Sequence, residues 1–388
     1  KINTKNYIDH LTSNNEKYEK NYRKNKKSKI KVGYFSAEYH NHPVLFLIMD
    51  VFKNHDKSLF EIYGFSHGPN LEENIWRKKV KPYFNDFFDV SNKSDEEIVS
   101  LSKKIGIDIA VNLTGLTSNH RTNIYKKRVA PIQINFLGFA GTMGAKFIDY
   151  IISDKIIIPK EMKKNYTEKI LYLPNCYQPN SKEIFELKNN KKFAKEDFNL
   201  PNKGIIFCCF NNNYKITPLI FNSWMNILKK VNNSVIWLYV TNDIAKNNLK
   251  NEASSRGVDP KRIIFAEKIS VVKEHLERTK LADIFLDTFP YNAHTTASDA
   301  IRVGLPIITL IGKSFSSRVA ASVLNAAGIP ELIAKSLNEY EKIAIDVALN
   351  KEKLLKIKEN LKDKSRNGLL FDNVKFTKDL EEIYQKIN

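Results

Sequence analysis

Two short stretches of the chain concentrate the side chains from which a phosphate-handling site would be built. In Leu286–Asp299 (LDTFPYNAHTTASD) an apolar, strand-like run ends in a loop, and that loop opens a helical pattern with His294-Thr295-Thr296. The first amides of a helix have no partner inside it and carry the positive end of its dipole, so they attract phosphate. The two Thr hydroxyls add donors, although the same residues also read as an ordinary Thr N-cap. In Phe207–Pro218 (FCCFNNNYKITP) a second strand-like run ends in a polar loop. Lys215 there suits a diphosphate and the Asn side chains suit a base or sugar; a solvated lysine in a polar loop is the plainer alternative. Both loops would leave strand ends of one sheet, where doubly wound folds bind ligands, and their convergence is the stronger signal.

The first half offers Tyr39-His40-Asn41-His42-Pro43, directly after the opening strand pattern. His42 is a candidate general base or acceptor-positioning group, set against the commoner role of a loop histidine as an exposed or structural side chain. Gly138-Phe139-Ala140-Gly141-Thr142-Met143-Gly144 mimics a dinucleotide fingerprint, but its spacing is GxxGxxG and a strand-like run, Phe147–Ile152, follows where a helix is required. A tight turn that lets backbone approach a ligand fits better, and a nicotinamide dehydrogenase is excluded. The chain has neither an Asp-x-Asp triplet to clamp a metal-bound diphosphate nor a GxxxxGK[ST] loop. A diphosphate leaving group would therefore rely on Lys215 and helix-terminus amides.

The elements that must position these loops alternate from Ile30 onward. Strands are expected at Ile30–Phe35, Phe60–Phe65, Ile107–Asn112, Ile132–Leu137, Phe147–Ile152 and Ile170–Leu173, with helices near Val44–Lys53, Asp95–Ile105 and His120–Lys127. Leu187–Gly204 is polar and ends in a turn signal, which marks a domain boundary. The alternation then restarts with strands at Ile205–Phe210, Ser234–Tyr239, Arg262–Phe265, Ile284–Asp287 and Pro306–Leu310. Helices are expected over Pro218–Lys230, Val272–Leu281, Thr295–Val303, Arg318–Ala327, Leu337–Leu349 and Thr377–Ile387. This is an α/β pattern of parallel sheets with crossover helices. Residues 1–28, rich in Lys, Asn and Glu, read as a linker or the end of something upstream, and the initial Lys fits a fragment.

Composition narrows the partners. The hydrophobic fraction of 42% supplies real cores, and no apolar run approaches the length of a membrane span. Cys176, Cys208 and Cys209 form neither a disulfide framework nor a zinc spacing, which fits a reducing, cytoplasmic setting. The net charge of +19 comes mostly from Lys scattered among Asn and Ile, without aromatic-interleaved basic motifs. We therefore expect neither a nucleic-acid nor a membrane partner. Nothing in the sequence specifies an oligomeric state.

Ala130–Ala145, Tyr166–Asn180, Phe207–Pro218, Leu281–Ser322 and Gly328–Ala334 closely resemble the catalytic region of the bacterial protein O-GlcNAc transferase family, which is related to SPINDLY. The resemblance runs from about Ile30 to the end of the chain. It implies a GT-B glycosyltransferase with two Rossmann-like doubly wound domains facing a cleft, residues 29–190 on the acceptor side and 200–388 binding the nucleotide sugar. It also implies inverting, metal-independent transfer of N-acetylglucosamine from UDP-GlcNAc to Ser or Thr hydroxyls of proteins, with no cofactor. Lys215 matches the family lysine on the donor diphosphate; His294, Thr295 and Thr296 match its phosphate-binding helix start. Asp299 matches an acidic residue of the same motif, and Asn212 an amide near the donor. His275 matches a histidine packed against uracil, and Arg278, one turn on, supports it. His42 matches the family histidine for base or acceptor positioning, and Leu137, Gly138 and Ala140 the loop around the sugar.

The chain departs from the family at several points. Asn112 and Leu116 stand where many bacterial relatives have Asp and His or Tyr, so neither acts as a base. Gly138-Phe139-Ala140-Gly141 replaces Gly-Tyr-Pro-Gly, and Leu45 and Phe46 replace small or polar residues. These changes raise the expectation of reduced activity or altered sugar choice. The alternatives are a SPINDLY-type enzyme using GDP-fucose and a silent nucleotide-binding scaffold. The family's tetratricopeptide repeats, which present protein substrates, are not visible in this sequence.

Overall fold

The computed structural model describes residues 6, 8, 29–69, 71, 73–182 and 191–388. The chain divides into two units, Lys1–Lys182 joined by Asp372–Asn388, and Glu183–Phe371. The expected linker at 1–28 lies, apart from residues 6 and 8, outside the described residues.

The first unit carries seven strands: β1 (Ile30–Ser36), β2 (Phe60–Ser66), β3 (Asp86–Asp89), β4 (Ile109–Asn112), β5 (Ile132–Asn135), β6 (Tyr150–Ser153) and β7 (Lys169–Tyr172). All pair in parallel in the order β3-β2-β1-β4-β5-β6-β7. The order reverses between β1 and β4. The central strands are buried on both faces, as helix-covered parallel sheets require, with Phe35 stacked on Phe65 at 4.2 Å between centroids. Local signals place the helices. Ser94 and Glu97 form a capping box at the start of Asp95–Ile105, and Gly106 ends that helix at φ 79°.

The second unit carries β8 (Ile206–Cys209), β9 (Val235–Tyr239), β10 (Ile263–Ala266), β11 (Ile284–Leu286), β12 (Ile307–Leu310) and β13 (Ile333–Ala334). They are parallel in the order β10-β9-β8-β11-β12-β13, with the reversal between β8 and β11. This is the 3-2-1-4-5-6 Rossmann order. Thr217 caps the helix Pro218–Lys230 and Pro218 occupies its first turn, which fixes where the β8 loop ends.

The structure adds to the expected elements. The first segment of the first unit runs to Lys182, and residues 183–190, where the expected Leu187–Gly204 boundary stretch begins, lie outside the described residues. The last helix, Asn373–Ile387, belongs to the first unit rather than the second. Its Glu381 carboxylate meets His55 Nδ1 at 2.9 Å, Tyr384 meets the Tyr34 hydroxyl at 3.2 Å, and Asn373 Nδ2 donates to Asp50 Oδ2 at 3.0 Å. Edge strands β3 and β13 were not expected: β3 carries an Asp at each end and β13 has two residues. Helices Asp243–Ser255 and Lys351–Asn367 were also missed, because their polar surfaces hide the apolar stripe.

Candidate functional site

In the second unit the loops after β8 and β11 meet at the reversal of strand order, as the sequence predicts. Asp287, the first residue after β11, organises them. Its fully buried carboxylate accepts from the amides of Thr288 (2.8 Å) and Ala293 (2.7 Å), from Asn211 Nδ2 (3.1 Å) and from the Thr309 hydroxyl (2.6 Å). Burial still raises its pKa to about 6. Asn211 ties the two loops together: its Nδ2 also donates to Thr288 Oγ1 at 2.7 Å, and its Oδ1 accepts from the Thr296 hydroxyl at 2.5 Å. Behind this, Trp224 Nε1 donates to the Tyr340 hydroxyl, which donates to the Asp287 carbonyl.

Lys215 reaches across from the β8 loop. Its Nζ donates to the Asn292 carbonyl at 3.2 Å and lies 3.8 Å from the centroid of Tyr291. Burial lowers its pKa to about 8, partly opposed by Asp287. His294 stacks on the same Tyr291 ring at 4.9 Å, and its Nε2 lies 3.3 Å from the Ser316 carbonyl. A carbonyl only accepts, so Nε2 carries a proton. Burial, then the neighbouring Lys215, pushes the ring's pKa down to about 3, so it is neutral at physiological pH.

His294 is the N-cap position of the helix Thr295–Arg302, without a side-chain cap bond. The amides of Thr295 and Thr296 occupy the first helical positions, which have no acceptor inside the helix. Lys215 and this helix start therefore present a cation and backbone donors from one sheet edge. One expectation is corrected: the Thr296 hydroxyl does not offer its proton to a phosphate, since it is directed at Asn211. Asp299 lies one turn into the helix, its pKa raised to about 7 by burial. Asn212 is exposed beside Lys215 on the β8 loop.

His275 and Arg278 form a second cluster on the same unit. Arg278, buried, donates from Nε to His275 Nδ1 at 3.1 Å and from a terminal nitrogen to the Glu267 carbonyl. Its guanidinium lies 5.1 Å from the Phe210 ring, and His275 packs against that ring at 5.4 Å. Burial and Arg278 lower the His275 pKa to about 3, leaving a neutral ring with its proton on Nε2. Arg278 thus orients His275, and both sit at the carboxyl end of β8, where Phe210 leads into Asn211.

In the first unit, His42 caps the helix Pro43–Asn54: its Nδ1 accepts from the Val44 amide at 3.3 Å. Burial, then His40, lowers its pKa to about 4. The neutral ring so arranged presents an Nε2–H donor rather than a basic lone pair, so it suits acceptor positioning better than proton abstraction. The loop after β5 is tightly built. Leu137 takes φ 71°, and the Gly138 amide bonds back to the Phe136 carbonyl at 2.9 Å, a strained γ-turn. A Cβ on Gly138 would lie 1.9 Å from the Leu113 carbonyl, so glycine is required there. Ala140 follows, half-buried, in the same loop. Asn112 closes β4 by accepting from the Thr114 and Gly115 amides at 3.1 and 2.9 Å.

Sequence reasoning passed over Asp287 and Tyr291, and it read Asn211 as a contact for a base or sugar where the structure makes it a tie between loops. All three lie inside the quoted motifs, and a carboxylate directly after a buried strand was the available signal for Asp287. Among the described residues no group of three or more His, Cys, Asp or Glu side chains gathers as a metal site, and no helix is long and apolar enough to cross a membrane.

Comparison with known proteins follows the same residues. The family model for glycosyl transferase family 41 matches residues 5–192 and 186–380. The chain is 36% identical over 363 residues to the probable UDP-N-acetylglucosamine–peptide N-acetylglucosaminyltransferase SEC of Arabidopsis thaliana, covering 92% of this chain and 37% of that protein. It is 29% identical to the SPINDLY protein of Solanum lycopersicum, covering 92% of this chain and 38% of that one. The chain thus spans well under half the length of these relatives. Among solved structures, a variant of the Thermobaculum terrenum O-GlcNAc transferase superposes with a TM-score of 0.84 at 27% identity, covering 92% of this chain and 67% of that one. A Rickettsia africae glycosyltransferase, 11% identical, shares the fold with a TM-score of 0.60. Two Rossmann-like parallel sheets of the GT-B type, carrying these motifs along nearly the whole chain, show that it belongs to glycosyl transferase family 41.

Proposed function

We propose that this chain is the catalytic region of a protein O-GlcNAc transferase, moving N-acetylglucosamine from UDP-GlcNAc to Ser or Thr hydroxyls without a metal ion. The observation that carries this reading is the convergence on the Tyr291 ring, at the β8/β11 reversal, of Lys215 and of His294, the residue that opens the helix Thr295–Arg302. In a single displacement the acceptor oxygen bonds to the sugar's anomeric carbon as that carbon's bond to the diphosphate oxygen breaks, which inverts the configuration, and the acceptor's hydroxyl proton passes to water or to a phosphate oxygen of the donor. The electron pair leaves with UDP. Lys215 and the helix start stabilise that developing charge in a partly desolvated site, where fixed donors act most strongly. His275, held by Arg278, offers a flat neutral ring for the uracil. His42 positions the acceptor hydroxyl through Nε2–H. Asn112, an amide bonded to two backbone N–H groups, takes no proton.

The SEC and SPINDLY relatives both carry UDP-N-acetylglucosamine in their names, which supports the uridine donor over a GDP-sugar. Calorimetric titration with UDP and, separately, GDP tests this. Binding of UDP at least tenfold tighter than GDP is expected. The reverse preference moves the enzyme to the guanosine branch, and binding of neither makes the chain a silent scaffold.

A further inference from the structure

At the opposite edge of the second sheet a cavity of about 500 Å³ opens beside the amino ends of β11 and β12. Its lining includes Lys280, Arg302, Lys358 and Lys362 and contains no acidic side chain. That volume lies within the range of small-ligand pockets. Two of the cations are partly compensated from outside the lining: Lys358 meets Asp283 Oδ1 at 2.9 Å, and Lys280 meets Glu277 at 2.5 Å. The Arg302 guanidinium lies 4.2 Å from the centroid of the Phe371 ring, and Asp299 stands one turn behind it. Lys362 is exposed and makes no ion pair among the described residues. Four cations against these neighbours leave the cavity positive.

We propose that this cavity is a second anion-binding site, separate from the donor loops, for a compact soluble polyphosphate. The concavity favours a small ligand over a flat anionic surface, and converging lysines favour several phosphoryl groups over a single carboxylate. The cavity faces the C-terminal end of the helix Thr295–Arg302, whose dipole alone would repel an anion; Arg302 in its last turn offsets that. The same helix begins at His294, about 12 Å away at 1.5 Å per residue, so one short rod joins both sites.

Calorimetric titration with inorganic tripolyphosphate tests the assignment in the unaltered chain and in four variants. Lys215→Ala, which removes the donor-loop cation, should bind within twofold of the unaltered chain. Lys362→Glu and Lys280→Glu should each weaken binding at least tenfold. Lys351→Glu, on the same helix as Lys362 but outside the cavity, should change it less than twofold. No binding to the unaltered chain overturns the proposal. So does loss of binding in Lys215→Ala, which would place the anion at the donor loops. An equal loss in Lys351→Glu and Lys362→Glu would also overturn it, as the mark of diffuse attraction to a basic protein.

Discussion

The Lys215 ammonium lies 3.8 Å from the centroid of the Tyr291 ring, and the ring carries the stacked His294 as well. One aromatic side chain of the β11 loop therefore fixes both a lysine that arrives from the β8 loop and the histidine that opens the helix. The lysine is held short of full hydration, in the place where a leaving phosphate would find it.

Replacing Lys215 by Ala should lower turnover on the order of a hundredfold or more, about 3 kcal/mol of leaving-group stabilisation. The variant should keep its far-ultraviolet circular dichroism. Near-normal turnover in a UDP-GlcNAc transfer assay would remove Lys215 from the leaving-group role.

The depressed pKa of Lys215 also sets a pH dependence. Above about 8 the free protein loses this charge, so affinity for UDP should decline between pH 7 and 9. Stability moves the other way. Between about 8 and the unfolded value near ~10.4 the unfolded chain binds more protons, so stability contributed at this site rises with pH. Titrations and urea unfolding at several pH values, repeated on Lys215→Ala, check both signs. A UDP affinity flat across this range in the unaltered chain would contradict the first.

Asp287→Asn keeps the volume but turns an amide toward groups that donate to the carboxylate: the Thr309 hydroxyl on one oxygen, and Asn211 Nδ2 with two backbone amides on the other. At least one buried donor loses its acceptor, which costs about 2–3 kcal/mol. The raised pKa near 6 adds a second signature. From the unfolded value near ~3.9 up to about 6 the folded state holds more protons, so this group makes stability fall as pH rises. That component should vanish in the variant; a stability–pH curve of unchanged shape would argue against it.

His42 has two separable roles. His42→Ala removes the cap on Pro43–Asn54, at about 1 kcal/mol, together with the Nε2–H donor. His42→Asp restores a good cap with a side chain that only accepts, so stability should recover while turnover stays low. Recovery of both in denaturation and transfer assays would reduce His42 to a helix cap.

The loop after β5 distinguishes two glycines. Gly138→Ala forces a methyl to 1.9 Å from the Leu113 carbonyl and should destabilise the protein by about 2–3 kcal/mol or displace the loop. Gly141→Ala meets nothing nearer than 3.4 Å and should be tolerated within about 0.5 kcal/mol. Equal melting temperatures for the two variants would show that the β4–β5 contact is slack.

Much of this protein was legible in its residues alone. Alternating apolar runs specify the parallel strands, because a strand buried on both faces has little choice of composition. His294-Thr295-Thr296 marks the helix start, because unpaired amides and dipole are properties of any helix end. Those signals are local. What the tertiary structure decided is non-local. The Asn211–Asp287–Thr296 network joins side chains up to 85 positions apart. It converts the Thr296 hydroxyl from an offered donor into a tie between loops. The proton on His42 is set by which nitrogen meets the Val44 amide, and composition carries no trace of that choice. The terminal helix joins the first unit because Glu381 and Tyr384 find His55 and Tyr34, more than 300 residues upstream. Only packing brings such partners together, so the sequence names the chemistry of each loop and the folded chain decides which atoms remain free to perform it.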